Sequence, residues 1–366
     1  METYTAANIN TKTYNTVQKY LQKNKNALNN PEKRNKYILH DKTVKDPILQ
    51  EMQNHIQTKT QLVLEHTIES LESPEQTSKL DLLQCTFIIP FKCDSNERLH
   101  NLSCLLNFIS KHFHTNIFVF EQGETCQLPN ITLHHKTNIK YYFLQSTSPF
   151  SRTIISNFLI QQATTELIVI NDTDCFTVPN AYVECMNKMI HENFHILHPY
   201  GTPPGCSELT TKHKHTLEQN NYDISKHIIL FPKPNHTAGI GGIVFIKRQL
   251  YHLLGNENHY FIGYSPEDIE RVARLRKLHM KFSHPISTIL PSPNNTYFTY
   301  PLFHMSHPRT KQSTILHEHY VSNELLWFCL DNMSELELIQ YYHQYSNQTQ
   351  TYTLQEYTEQ IKHYLS

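Results

Sequence analysis

The stretch that decides the fold is ELIVINDTD at residues 166–174, a short apolar run that stops abruptly at two aspartates. Four consecutive branched aliphatic residues, Leu167 to Ile170, read as a strand buried on both faces, and such strands belong to parallel sheets. Working outward, SRTIISNFLIQQATT (151–165) reads as the helix before it and NIFVFEQ (116–122) as an earlier strand. NERLHNLSCLLNFISKHF (96–113) reads as an amphipathic helix and CTFIIPF (85–91) as the first buried strand. Strand and helix alternate, which is the βαβ rhythm of an α/β fold with a mostly parallel sheet flanked by helices. Ligands of such sheets sit beyond the C-terminal strand ends. Three strands end in polar groups: Lys92, Asp94 and Arg98, then Glu121 and Gln122, then Asp172, Thr173 and Asp174. These clusters are expected to line one crevice.

The flanks read differently. Residues 1–84 are expected to form a separate helical extension, 85–312 the α/β domain, and 313–366 a second helical extension. In the first, Asp46-Pro47 reads as a helix start, followed by Ile48, Leu49, Met52, Ile56, Leu62, Val63 and Ile68 at helical spacing, with Ser73-Pro74 as the stop. The helical ends are candidate contact surfaces for a partner or an oligomer.

Composition narrows the function classes. Lys and Arg number 32 against 33 Asp and Glu, so no net field favours a nucleic acid. No run reaches the roughly 20 apolar residues of a membrane span, and cytoplasmic residence is the expectation. The eight cysteines are scattered without a CxxC pair and read as reduced thiols. Glycine is scarce: of eight in the chain, Gly239, Gly241, Gly242, Gly255 and Gly263 fall in one short stretch. A chain so poor in glycine keeps it where the backbone must approach something closely.

The residues with chemical potential are separated along the chain. Asp172-Thr173-Asp174, at a strand end, can face a hard divalent cation and its phosphates, or form an Asp-rich turn. His304 and His307, in HMSHPR (304–309), offer two imidazoles to a metal, or are a chance pair among 25 histidines. Glu267 and Asp268 open a helix after Pro266, where acids favour the helix dipole or one serves as a general base.

The order of these pieces carries a resemblance. FIIPFKCDSNERLHNL (87–102), FSRTIISNF (150–158), VINDTD (169–174), GGIVFIKRQLYHLLGNENHYFIGYSPEDIERVARL (241–275) and HMSHPR together resemble the GT-A glycosyltransferases. Within that group they resemble the inverting galactosyltransferase-like and capsule-synthesis-like branch. The resemblance implies the Rossmann-like GT-A fold, a metal-dependent enzyme, and transfer of a hexose or N-acetylhexosamine from a UDP-sugar to a glycan or other hydroxyl acceptor. It implies donor contacts from Pro90, Phe91, Lys92, Asp94, Arg98, Glu121, Phe150, Arg152, Asp172, Thr173, Gly241 and Gly242. Asp174 and His307, with His304 as an additional ligand, would hold Mn²⁺ or Mg²⁺. Glu267 would meet the acceptor and Asp268 would be the base. The sequence departs from the pattern in Lys92 for a common Arg, Ser265-Pro266 for Gly-Gly, and Tyr264 for a common Trp. The competing class is a catalytically silent sugar-nucleotide or glycan-binding module; a zinc hydrolase is disfavoured because no HExxH is present.

Overall fold

A computed structural model describes residues 11–66, 79–135, 137–201, 205–224, 240–283, 300–310, 314–346 and 352–365. The chain opens with two helices, α1 (Thr11–Leu28) and α2 (Pro31–Lys59), and an edge strand, β1 (Gln61–His66). There follow β2 (Leu80–Phe91), α3 (Asn96–His112), β3 (Phe113–Gly123), β4 (Asn138–Gln145), α4 (Arg152–Gln162) and β5 (Leu167–Asn171). The middle of the chain gives β6 (Cys175–Phe176), α5 (Pro179–His191), β7 (Ile196–Leu197), β8 (Cys206–Leu209), α6 (Thr211–Gln219), β9 (Ile243–Lys247) and α7 (Arg248–Leu253). The rest comprises α8 (Glu267–Lys277), β10 (Phe282–Ser283), β11 (Leu302–Met305), α9 (Tyr320–Asp331), α10 (Glu335–Ser346) and α11 (Leu354–Leu365).

Eight strands form the central sheet in the order β1-β4-β3-β2-β5-β9-β7-β10. Strands β4, β3, β2 and β5 run parallel, whereas β1 and β9 run against their neighbours. The α/β class and the mostly parallel sheet read from the sequence are present. From β4 the chain crosses behind β3 and β2 to reach β5, so the winding reverses between β2 and β5. That is the topological switch point, where strand ends splay apart and leave a crevice. The C-terminal ends of β2 and β5 carry Pro90 to Asp94 and Asp172 to Asp174. A second sheet, β6-β11-β8, closes over that end.

Two apolar clusters sandwich the sheet. One joins Phe87, Ile89, Leu105, Val169 and Tyr182 on the α3 and α5 side. The other joins Ile88, Ile155, Ile170 and Val244 with α4 and α8, and also with the chain ends. It includes Leu21, Leu28, Ile38, Leu49, Met52 and Ile56 from the first two helices and Leu326, Tyr342 and Ile361 from the last three. Buried side chains of this kind contribute about 1.5–3 kcal/mol each. Six of them sum to the same order as the roughly 5–15 kcal/mol net stability of a domain. The terminal helices are therefore part of the core.

Several expectations about the first 84 residues change. Helix α2 starts at Pro31, with the Asn30 side chain accepting from Lys33 N, and Pro47 lies inside it. Asn30-Pro31 is the better start, because the Asn30 side chain satisfies the backbone donor of Lys33 and Pro31, lacking an N–H, leaves one donor fewer without a partner. Pro47 costs an internal hydrogen bond, offset by the burial of Leu49, Met52 and Ile56 beyond it. Leu62 and Val63 belong to β1, which pairs antiparallel with β4, and β2 begins at Leu80. Ile68 and Ser73-Pro74 lie outside the described residues. A buried Lys45–Asp41 ion pair of 2.9 Å reaches across to α9, Lys45 Nζ donating to Asn323 Oδ1 at 3.2 Å. Tyr260 Oη donates to Asp46 Oδ1 at 2.8 Å, so α2 also braces the loop ahead of α8. Among the described residues all eight cysteines are free, and no helix is long and apolar enough to cross a membrane.

Candidate functional site

A cavity of about 620 Å³ occupies the crevice. Pro90, Lys92, Asp94, Arg98, Phe150, Arg152, Asp172, Thr173, Asp174, Glu267, Asp268, His304 and His307 line it. Thirteen of the residues singled out from sequence thus meet there, from five separate stretches. A somewhat larger cavity, about 700 Å³, lies among α2, α4, α7 and α11, lined by glutamines, aromatics and aliphatics without an acidic or basic side chain other than histidine. It lacks charged groups for a phosphate or a cation, so the crevice is the candidate site.

The backbone explains how the pieces converge. Strand β9 runs antiparallel to β5 with Asn171 opposite Ile243, and Asp172 N donates to Gly242 O at 2.9 Å. Strand β11 pairs with β6, His304 opposite Cys175, and Met305 N donates to Asp174 O at 2.7 Å. The second sheet thereby carries the His304–His307 turn onto the end of β5. From the other wall, α8 presents Glu267 and Asp268 in its first turn. Its approach loop is pinned by Asn323 Nδ2, which donates to Ile262 O at 2.8 Å and Tyr264 O at 3.2 Å. In that loop Gly263 has φ +71°, and a Cβ there would collide with the His317 ring. The glycine is required on both counts.

Arg152, at the start of α4, is the hub of one half of the site. Its Nη2 donates to Asp172 Oδ1 at 2.5 Å and more weakly to Gly241 O at 3.4 Å. Its Nη1 donates to Glu267 Oε1 at 2.7 Å, while Ser265 Oγ donates to Glu267 Oε2 at 2.7 Å. Arg152, expected to face a nucleotide or phosphate, is thus committed to two carboxylates and fixes their spacing. Burial pushes Asp172 up to about 6 despite that arginine. Burial also raises Glu267 and Asp268 above the usual carboxylate range, with Arg152 opposing it for Glu267 and Arg271 for Asp268.

Asp268 differs from Glu267. Its Oδ1 accepts from Ile269 N at 2.8 Å, and among the described residues no hydrogen bond reaches Oδ2. Gly241 lies directly against that oxygen, and a Cβ on Gly241 would overlap it. A Cβ on Gly242 would press on Cys175 Sγ and Leu302 at 3.1 Å. The two glycines do not line the cavity; they make room for the groups that do. Gly241→Ala is accordingly expected to displace Asp268 and lower stability by about 1–3 kcal/mol, the usual cost of overpacking. Urea unfolding measures the second effect, and an unchanged midpoint would contradict this packing.

The other half of the site is Asp174 with the histidines. His307 Nε2 lies 3.0 Å from Asp174 Oδ2 and His304 Nε2 3.8 Å from the same oxygen. His304 Nδ1 pairs with Glu208 Oε1 at 2.9 Å, while His307 Nδ1 lies 2.8 Å from Pro308 O. A carbonyl only accepts, so His307 Nδ1 carries the proton and, in the neutral ring, Nε2 presents a lone pair. A lone pair 3.0 Å from a carboxylate oxygen is unsatisfactory unless a proton or a metal ion lies between them. The donor set therefore fits a divalent cation, and one carboxylate with imidazoles suits Mn²⁺ better than Mg²⁺. Cys175 Sγ, 3.4 Å from Asp174 Oδ1, is a buried thiol whose pKa burial pushes well up, so it serves as a donor to the carboxylate.

For Asp174, burial favours the neutral acid, but His304, the His307 hydrogen bond and Arg98 outweigh it and hold the group low. For His304, burial disfavours charge, but Asp174 and Glu208 outweigh it and raise the pKa from 6.5 to about 9. A pKa raised by folding stabilises the fold fully below the unfolded value and loses that contribution as pH climbs through the folded one. In chelator, the His304 contribution is thus complete below about pH 6.5 and gone above about pH 9. His304→Gln should flatten the fall in melting temperature across that window; a variant with the same slope as the parent would contradict this.

The remaining expected donor residues fall into two groups. Lys92 Nζ donates to Ser148 O at 3.5 Å. Asp94 Oδ1 pairs with Arg98 Nε at 2.8 Å, and its Oδ2 accepts from Thr310 Oγ1 at 3.2 Å. Two others are not brought to the cavity. Phe91 is 1% exposed and belongs to the core. Glu121 is fully buried, its carboxylate accepting from Gln127 N at 2.9 Å and Tyr141 Oη at 2.9 Å. It secures the turn after β3, because a buried carboxylate needs partners and finds them locally. Tyr264, noted as standing for a common Trp, also lines the cavity, and lining residues that the sequence did not single out include Glu208, Arg309 and Tyr320. Arg309 closes the HMSHPR motif and could have been included. Glu208 carries no local signal; only the β8–β11 pairing sets it opposite His304.

No family model matches the chain, and no curated protein matches it. Among solved structures it is similar to Drosophila β1,4-galactosyltransferase 7, crystallised with manganese, UDP-Gal and xylobiose, at 17% identity and TM-score 0.36 over 62% of this chain and 71% of that one. It is similar to Mycobacterium tuberculosis glucosyl-3-phosphoglycerate synthase, crystallised with Mg²⁺ and UDP, at 11% identity and TM-score 0.33 over 55% and 68% of the two chains. It is also similar to S. aureus TarS, at 12% identity and TM-score 0.40 over 74% of this chain and 44% of that chain.

Proposed function

We propose that the chain is an inverting, metal-dependent glycosyltransferase that moves a hexose or N-acetylhexosamine from a UDP-sugar to a hydroxyl acceptor. The observation that carries this reading is the shared cavity. One wall holds Asp174 and His307 as facing acceptors, and the other holds Asp268 with one carboxylate oxygen free of hydrogen bonds among the described residues. A ligand set suited to a metal ion beside a carboxylate free to take a proton supports displacement of a diphosphate by a hydroxyl group.

Asp174 and His307 would hold the cation, Mn²⁺ by preference, with His304 beside them. When bound, the cation supplies charge neutralisation for a departing diphosphate. The protein's own groups do the rest. Arg98 and Arg309, both at the cavity, supply positive charge for the donor's phosphates. Pro90 and Phe150 offer apolar surface for its base. Asp268 accepts the acceptor's hydroxyl proton as the oxygen attacks the anomeric carbon from the face opposite the diphosphate. The C–O bond forms as the sugar–phosphate bond breaks, and the anomeric configuration inverts. Arg152 holds Glu267 and Asp172 in place, so that Asp268 is the acid left to act.

A nucleotide-release screen tests the reading. UDP-Gal, UDP-GalNAc, UDP-Glc, UDP-GlcNAc and UDP-GlcA are each incubated with the chain and Mn²⁺, and free UDP is measured with and without hydroxyl acceptors. Release from one donor, abolished by chelator, is expected. Tight Mn²⁺-dependent UDP binding without release from any donor or acceptor would instead favour the silent binding module.

A further inference from the structure

A second cluster of ligating groups lies outside the cavity, on the facing sides of α3 and α6. His100 and Cys104 stand one turn apart on α3, and His215 and Glu218 one turn apart on α6, so each pair shares a helix face. Glu218 is the meeting point. Its Oε1 lies 2.5 Å from His100 Nε2 and 3.9 Å from Cys104 Sγ, and its Oε2 lies 3.0 Å from His215 Nδ1. The two imidazole rings are 5.8 Å apart. The ligand atoms of His100, Cys104 and Glu218 all lie within 4.8 Å of one another.

We infer that His100, Cys104, His215 and Glu218 form a structural zinc site that clamps α3 to α6. Zinc takes four ligands at about 2.0–2.3 Å, which places neighbouring ligand atoms about 3.3–3.8 Å apart in a tetrahedron. From Glu218 Oε1 the distances to His100 and Cys104, 2.5 and 3.9 Å, bracket that value; His215, held by the other oxygen at 3.0 Å, is the exposed side chain that turns in as the fourth ligand. A mixed set of two imidazoles, one thiolate and one carboxylate suits zinc. The charges also balance, since thiolate and carboxylate together cancel Zn²⁺. That matters because the ammonium of Lys214, buried beside the cluster, donates to Asn101 Oδ1 at 2.8 Å and Ser306 O at 3.3 Å. A neutral centre tolerates it.

The site's position gives it a purpose. Asn101 Nδ2 donates to Met305 O at 2.9 Å, and Lys214 reaches Ser306 O. The helices joined by the zinc therefore hold the main chain between His304 and His307. The clamp stiffens the turn that carries the other metal ligands, and it stands whether or not the chain transfers sugar.

Cobalt(II) distinguishes the two centres, because a cobalt–thiolate bond gives a near-ultraviolet charge-transfer band. The full chain is stripped with chelator, titrated with Co²⁺, and back-titrated with Zn²⁺. We expect the band in the parent, in Asp174→Ala and in Cys175→Ala, its loss in Cys104→Ser, and its displacement by Zn²⁺. His215 is 60% exposed, so His215→Ala leaves the fold intact and is expected to weaken Zn²⁺ at least about tenfold. A parent without the band, a band that survives Cys104→Ser or vanishes in Cys175→Ala, or parental Zn²⁺ affinity in His215→Ala would overturn the assignment. If Cys104→Ser does not fold, the histidine variant decides.

Discussion

Asp268→Asn is expected to leave Mn²⁺–UDP affinity near the parent's while lowering sugar transfer at least about a hundredfold, the usual cost of a lost general base. The amide oxygen can still accept from Ile269 N, which now donates to Oδ1 at 2.8 Å, so the start of α8 keeps its geometry. What the amide cannot do is take a proton. Glu267→Gln should behave differently, because Glu267 is held by Arg152 at 2.7 Å and by Ser265 at 2.7 Å. Its loss leaves a buried arginine with one carboxylate fewer, and stability falls before chemistry is reached. Steady-state transfer at saturating donor and a urea titration separate the two acids. Near-parental transfer by Asp268→Asn would remove it as the base.

Asp174→Ala and His307→Ala are expected to lose Mn²⁺-dependent UDP binding, each by at least about tenfold in affinity and approaching background in calorimetry. The two groups face each other at 3.0 Å, and either one alone leaves a cation largely to water. His304→Ala should be milder, since that ring stands 3.8 Å from Asp174 and is shared with Glu208. Unchanged affinity in both Asp174 and His307 variants, with parental melting curves, would move the cation elsewhere.

The sequence disclosed the α/β layer and much of the crevice for one physical reason. Runs such as Leu167–Ile170 and Phe87–Ile89 are buried on both faces, so hydropathy marks them plainly, and polar residues just beyond them must lie at strand ends. The HMSHPR turn was legible as a motif, but its proximity to Asp174 depends on β11 pairing with β6, a long-range contact with no local mark. The chain ends were harder. Leu62 and Val63 continue a helical spacing, yet Lys59 ends the helix and edge pairing with β4 takes those residues. Tertiary context outweighs weak periodicity over so few residues. Glu121 misled for a related reason. A carboxylate at a strand end reads as a site residue, and only the fold reveals that Gln127 and Tyr141 satisfy it.

In the proposed reaction one cavity holds a divalent cation and a nucleoside diphosphate together. Isothermal titration of UDP into the full chain, first in chelator and then with excess Mn²⁺, tests it most directly. Stoichiometric binding with Mn²⁺ and at least about tenfold weaker binding without it are expected, because Asp174 and Glu208 otherwise present negative charge toward the phosphates. UDP affinity that is equal with and without Mn²⁺, or no binding in either condition by a chain that melts cooperatively, would contradict it.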